Sequence, residues 1–223
     1  IKEPDDPEAA QKFRRLLDHP NQEIRDRAWI ALKYMVEGIH SETLQVVIRT
    51  LSDEDKQYKM YAAEVVEKLP SPVESDEAVA AVIRALADSD QHVIYYFAHA
   101  STNLKLTAEQ TANVIQALTA IVNNTSGFFN YEKSPRNEAV SALGHFGANA
   151  QIAVPDIINY VKESNGYAQS DGYSTPFSSA LGALAKIGGP AEIITPFLLT
   201  GFAVEESKHE LALLDAAVSV VNN

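Results

Sequence analysis

The chain repeats itself, and that constrains it more than any other property. The stretch "DHPNQEIRDRAWIALKYM" (Asp18 to Met35) returns 34 residues later as "SDEDKQYKMYAAEVVEKL" (Ser52 to Leu69). Ala28 meets Ala62, Leu32 meets Val66, and Arg25 meets Lys59. A third copy, "ADSDQHVIYYFAHASTNL", starts at Ala87, 35 residues after Ser52. Each copy is a polar turn followed by apolar residues at helical spacing. Each is preceded by a shorter apolar run ending in leucine: "FRRLL", "VVIRTL", "AVIRAL". A period in the mid-thirties with two helices per unit means that no unit can bury its apolar face alone. Units must stack, which predicts an α-solenoid.

The second half keeps the pattern at a longer period. "ALGHFGANAQIAVP" from Ala142 matches "ALAKIGGPAEIITP" from Ala183, 41 residues on. Gly147 meets Gly188, where a helix needs a left-handed end, and Pro155 meets Pro196 near the start of the next helix. Helix starts are marked by Thr107 with Gln110, a capping box, and by Ser134–Pro135 and Thr175–Pro176. The spacing predicts twelve helices in six pairs: 6–17 and 22–37, 41–51 and 55–69, 76–87 and 91–103, 107–123 and 135–147, 150–163 and 176–188, 190–204 and 207–221. No segment alternates as a half-buried strand does. The fold class is therefore all-α, a right-handed superhelix of about six antiparallel pairs, read as one domain over 1–223. Both ends, "IKEPDD" and "VVNN", lack capping signals, as expected if flanking repeats continue the chain.

Composition removes several functions. With no cysteine, disulfides, thiolate metal sites and thiol nucleophiles are excluded. A formal charge of −12 argues against nucleic acid, whose binding draws on Lys and Arg. No apolar run approaches the ~20 residues of a membrane-spanning helix, so a soluble chain is expected. Starting at Ile1 without methionine, it reads as trimmed or as having lost a signal segment, and an exported or periplasmic location is favoured over a cytoplasmic one.

Two segments, "LLDHPNQEIRDRAWIAL" in the first unit and "NEAVSALGHFG" followed by "AVPDIINYV" across the fourth and fifth, resemble the HEAT-repeat family in its short bacterial, armadillo-like form. The resemblance implies that the second helix of each pair opens with an aliphatic and a basic residue, as at Ile24–Arg25 and near Tyr58–Lys59. Ile94 and Phe177 replace the basic residue, so a polar ladder from turn to helix should break there. It also implies a scaffold that binds other proteins. The fold itself names no partner.

The clearest irregularity is a pair of long turns, "NNTSGFFNYEKSP" from Asn123 and "ESNGYAQSDGYSTP" from Glu163. They occupy the same place in consecutive units and should lie side by side on one rim. They carry Phe128, Phe129 and Tyr131 in one, Tyr167 and Tyr173 in the other. Aromatics among Asn, Ser and Gly resemble a recognition surface for a peptide or a sugar; equally, the loops could fold over each other to close the edge.

The resemblance places the second helices on the concave side. Aligned positions there form three rows: Asp26, Met60, Tyr95, Asn137, Ser178; then Ile30, Glu64, His99, Ser141, Gly182; then Tyr34, Lys68, Asn103, His145, Lys186. Met60, Glu64, Tyr95, His99, Asn103 and His145 are the candidate groove residues, against the plainer reading of a solvated helix face. His99 and His145 with Glu64 could supply zinc ligands, but no HExxH-type spacing supports a metal. The single His209–Glu210 pair falls short of the repeated pairs of HEAT-like di-iron hydroxylases, and Ser207 with Glu210 reads as a capping box. Trp29 reads as a packing residue. GxSxG, GxxxxGK[ST] and GxGxxG motifs are all absent. The sequence thus points to a non-enzymatic module for a protein or peptide partner, without cofactor. The competing class is a bilin lyase-like enzyme or tetrapyrrole binder, with Tyr95, His99 and His145 in its groove.

Overall fold

The structure is a computed structural model that describes residues 6–124, 134–164, 176–190 and 192–197. The described residues form helices joined by turns, and an isolated parallel bridge pairs Val73 with Leu104. They fall into two compact units, Ile1–Leu106 and Thr107–Asn223.

The first unit is three helix pairs: α1 (Pro7–Leu17) with α2 (Gln22–Leu32), α3 (Ser41–Thr50) with α4 (Lys56–Lys68), and α5 (Asp76–Ala85) with α6 (Gln91–Ser101). First helices pack on first helices (α3 on α5), and second helices on second helices (α2 on α4, α4 on α6). Between the layers lie Leu17, Trp29, Leu32, Leu51, Val66, Val82 and Phe97, all buried. The turns are built identically. Asn21, Asp55 and Asp90 cap the second helices. Two residues before each cap, His19, Asp53 and Asp88 accept the cap's own backbone N–H at 3.1, 2.8 and 2.9 Å. Arg49 reaches back to Asp18, and Arg84 to Ser52, both at 2.9 Å. Such recurrence fixes the stacking register of successive pairs.

The second unit contains α7 (Ala108–Val122), α8 (Pro135–His145), a 3-10 helix (Gly147–Ala153), α9 (Val154–Glu163) and α10 (Pro176–Ile187), followed by helical residues 192–197. Helix α8 packs on α7 and α10, and α9 on α10. The α8–α10 contact is close: a Cβ added at Gly144 would lie 2.8 Å from Ala183 Cα. The Thr107–Gln110 capping box and the Ser134 cap form as the sequence predicts. Gly147 and Gly188 take φ of 54° and 68°, the left-handed ends their recurrence required.

Most helix boundaries fall within two residues of the expected ones, and two differ by more. Helix α2 stops at Leu32 rather than 37, because Tyr34 and Met35 donate to Ala31 and Leu32, three residues back, and tighten the chain toward Gly38. The helix expected over 150–163 begins only at Val154. Pro155 has no N–H to donate to Gln151; Val154 donates there instead, and the preceding segment winds as a 3-10 helix. The pair expected at 190–204 and 207–221, Thr175, and the Ser207–Glu210 box lie largely or wholly outside the described residues.

Candidate functional site

In the first unit, α4 carries Met60 and Glu64 and packs against α6, which carries Tyr95 and His99. Tyr95 and His99, one turn apart on α6, pack edge to face with ring centres 4.9 Å apart. Tyr96 meets Tyr95 at 5.4 Å. His99 Nδ1 lies 3.3 Å from Glu67, so Glu67 and not Glu64 is its carboxylate neighbour. Glu64 instead receives Lys33 from α2's end at 2.9 Å and Lys68 at 2.7 Å. Burial works against the Glu64 carboxylate, but the Lys68 and Lys33 hydrogen bonds outweigh it and hold its pKa below the ordinary value. Lys33 also sits 5.0 Å above the Tyr61 ring. Asn103 is a tether: its amide donates to Val66 O at 2.7 Å and Leu69 O at 2.9 Å, tying the end of α6 to the end of α4. Met60 is half-buried on α4, while Ile30 and Tyr34 are exposed.

The resulting face is a half-exposed layer of tyrosines, a histidine and internally neutralised charges. Surfaces of this kind offer flat aromatic area with polar edges, as protein-binding surfaces do. Trp29 belongs to the core below, where its indole N–H reaches Leu17 O at 3.3 Å.

In the second unit, His145, Ser141, Ser178, Gly182 and Lys186 are exposed on α8 and α10. Asn137 is not: it is only 8% exposed and accepts the Tyr160 hydroxyl at 2.7 Å. The helix-face rows did not anticipate this, because α9 covers that end of α8.

Arg136, one residue before Asn137, was missed as an organising group. Its guanidinium lies 4.2 Å from the Tyr160 ring centre, donates through Nε to Val122 O at 2.8 Å, and approaches Glu163 at 3.5 Å. Val122 is the last residue of α7, so its carbonyl has no partner within the helix. The first unit carries the same device. Arg25 lies 4.6 Å from the Tyr58 ring centre and donates to His19 O, while the Tyr58 hydroxyl donates to Asp26 at 2.8 Å. Arg25 and Arg136 hold the same repeat position, so the alignment contained the signal. Lys59 at that position pairs with Asp88 at 2.7 Å. Where Ile94 and Phe177 stand, the side chains are buried and apolar packing replaces the ladder.

Arg136 also ties together the helix ends from which both long turns leave, Val122 before the first and Glu163 before the second. Phe128, Phe129, Tyr131, Tyr167 and Tyr173 themselves lie outside the described residues. Among the described residues, no group of three or more His, Asp or Glu is arranged to hold a metal ion, and no helix is long and apolar enough to cross a membrane.

Stacked helix pairs with repeating turns define an α-solenoid repeat protein, and known structures share that fold. No known family model and no curated protein matches the chain. Among solved structures, an engineered protein from the Northeast Structural Genomics Consortium is 18% identical with a TM-score of 0.61, covering 95% of this chain and 94% of its own. A designed armadillo repeat protein in complex with the peptide (KR)4 is 16% identical with a TM-score of 0.60, covering 95% of this chain and 97% of its own. Another designed armadillo repeat protein is 18% identical with a TM-score of 0.59, covering 95% and 98%.

Proposed function

We propose that this chain is a non-enzymatic, HEAT-type scaffold that binds an extended segment of a partner polypeptide on the exposed faces of its second helices, with the aromatic long turns as a second contact. The observation that carries the reading is the α4–α6 face. There Tyr95, Tyr96 and His99 stand half-exposed on α6, and on the adjoining α4 the Glu64 carboxylate is already paired with Lys33 and Lys68. Paired charges cost less to cover than lone ones, and aromatic anchors supply binding energy. The likeness to a designed repeat protein that holds a peptide supports the same use of the fold.

The test is selection of a phage-displayed random peptide library on the full chain. Recovered peptides should lose about tenfold or more in affinity for Tyr95→Ser/His99→Ala, with an unchanged melting temperature. A Phe128→Ser/Phe129→Ser/Tyr167→Ser/Tyr173→Ser variant examines the rim in the same way. Failure to recover any peptide, or peptides indifferent to both variants, refutes the proposal.

A further inference from the structure

The cleft between α8 and α10 differs in chemistry from the face of the first unit. It is an open depression of about 280 Å³, lined by Ser141, Ser178, Ser179, Gly182, Ala183 and Lys186. Gly182 opens its wall, since a Cβ there would meet nothing within 4 Å. The lining offers three hydroxyls and one ammonium, and no carboxylate. In the first unit Lys12, Lys33, Lys56, Lys59, Lys68 and Lys105 are all ion-paired. Lys186 makes no ion pair among the described residues, and neither Ser141 nor Ser179 makes a side-chain hydrogen bond there.

We propose that this cleft takes the carboxylate of an Asp or Glu side chain from an extended partner polypeptide; the inference rests on the scaffold reading above. A single ammonium matches a single negative charge, and the Ser141 and Ser179 hydroxyls can donate to its oxygens. A phosphate group is a poorer match, because dianionic phosphates favour several cations or an Arg fork. A cationic side chain meets Lys186 with like charge. A free small acid would be held by one solvent-exposed ion pair, which is worth little, whereas a side chain arrives with flanking residues that add contacts along α8 and α10. The chain's charge of −12 opposes acidic partners in general, so a preference for Asp or Glu reports this cleft rather than the overall field.

The same peptide library, selected in parallel on the full chain and on Lys186→Met and Lys186→Glu, tests this. Lys186 is exposed, so Lys186→Met should melt close to the parent, and Lys186→Glu, which puts a carboxylate in the last turn of α10, slightly below it. The expected result is enrichment of Asp and Glu by the parent, loss of that enrichment with Lys186→Met, and its replacement by Lys and Arg with Lys186→Glu. Individual acidic peptides should bind Lys186→Met about two- to fivefold more weakly. Peptides recovered without acidic enrichment, or enrichment that survives Lys186→Met, overturn the cleft's assignment while leaving the scaffold reading intact. Recovery of no peptide overturns both.

Discussion

Replacing Arg136 with Met tests whether the second unit depends on the device described for its helix ends. Methionine keeps the buried aliphatic stem and removes the guanidinium. Three interactions are lost. The Nε donor leaves Val122 O, and an orphaned helix-end carbonyl in a buried site costs roughly 1.5–3 kcal/mol when its charged donor goes. The stacking on Tyr160 at 4.2 Å adds about 0.5–1 kcal/mol. The Glu163 contact adds little, because that carboxylate is 57% exposed and 3.5 Å away. Part of this is returned, since the buried guanidinium no longer has to be desolvated. The net expectation is a loss of about 2–3 kcal/mol, or roughly 5–10 °C in melting temperature for a chain of 223 residues. Arg136→Lys keeps the charge but can satisfy only one of the two partners, and should fall between. Urea unfolding followed by circular dichroism, with the midpoint compared across the three proteins, supplies the measurement. A loss below about 0.5 kcal/mol for Arg136→Met would refute the argument that this side chain satisfies the end of α7.

Other substitutions discriminate further. Gly144→Ala should destabilise by about 1–2 kcal/mol, because its Cβ would meet Ala183 Cα at 2.8 Å, whereas Gly182→Ala should stabilise by up to about 1 kcal/mol, because the site is open and alanine favours helix; thermal melts of the pair check both signs. Lys56 hydrogen-bonds Asp90 and, against the opposing effect of burial and with help from the His92 N–H, holds its pKa down at about 2 against an ordinary 3.8. The stability this contributes is complete above about pH 4 and is lost as pH falls toward 2. Lys56 is 66% exposed, so solvent screening keeps this contribution small. Asp90→Asn should therefore flatten that part of the acid-unfolding profile; a profile identical to the parent's contradicts the pairing. Mixing the chain with a free bilin should leave the pigment's absorbance spectrum unchanged, and a shifted band would favour the tetrapyrrole-binding alternative.

What could be read from the sequence was local. Caps at Thr107 and Ser134, and left-handed glycines at Gly147 and Gly188, depend on a few adjacent residues and formed where expected; the caps at Asn21, Asp55 and Asp90 are just as local, but only the polar turns that carry them were read. The repeat alignment likewise placed Tyr95 and His99 on a shared face. What escaped depends on neighbours distant in the chain. Asn137 shares a row with Tyr95, yet Tyr160 covers it. His99 reaches Glu67 rather than Glu64 because two lysines occupy Glu64 first. The α8–α10 cleft exists because Gly182 and three serines fall where larger residues would fill it, a fact about volume that a polarity pattern does not carry.

Hydrogen–deuterium exchange of the full chain, with and without a selected peptide, tests the scaffold most directly. The account predicts peptide-dependent protection in α4 (Lys56–Lys68), α6 (Gln91–Ser101), α8 (Pro135–His145) and α10 (Pro176–Ile187), with little change in α1, α3 and α5. Protection confined to those first helices, or none with saturating peptide, would contradict it.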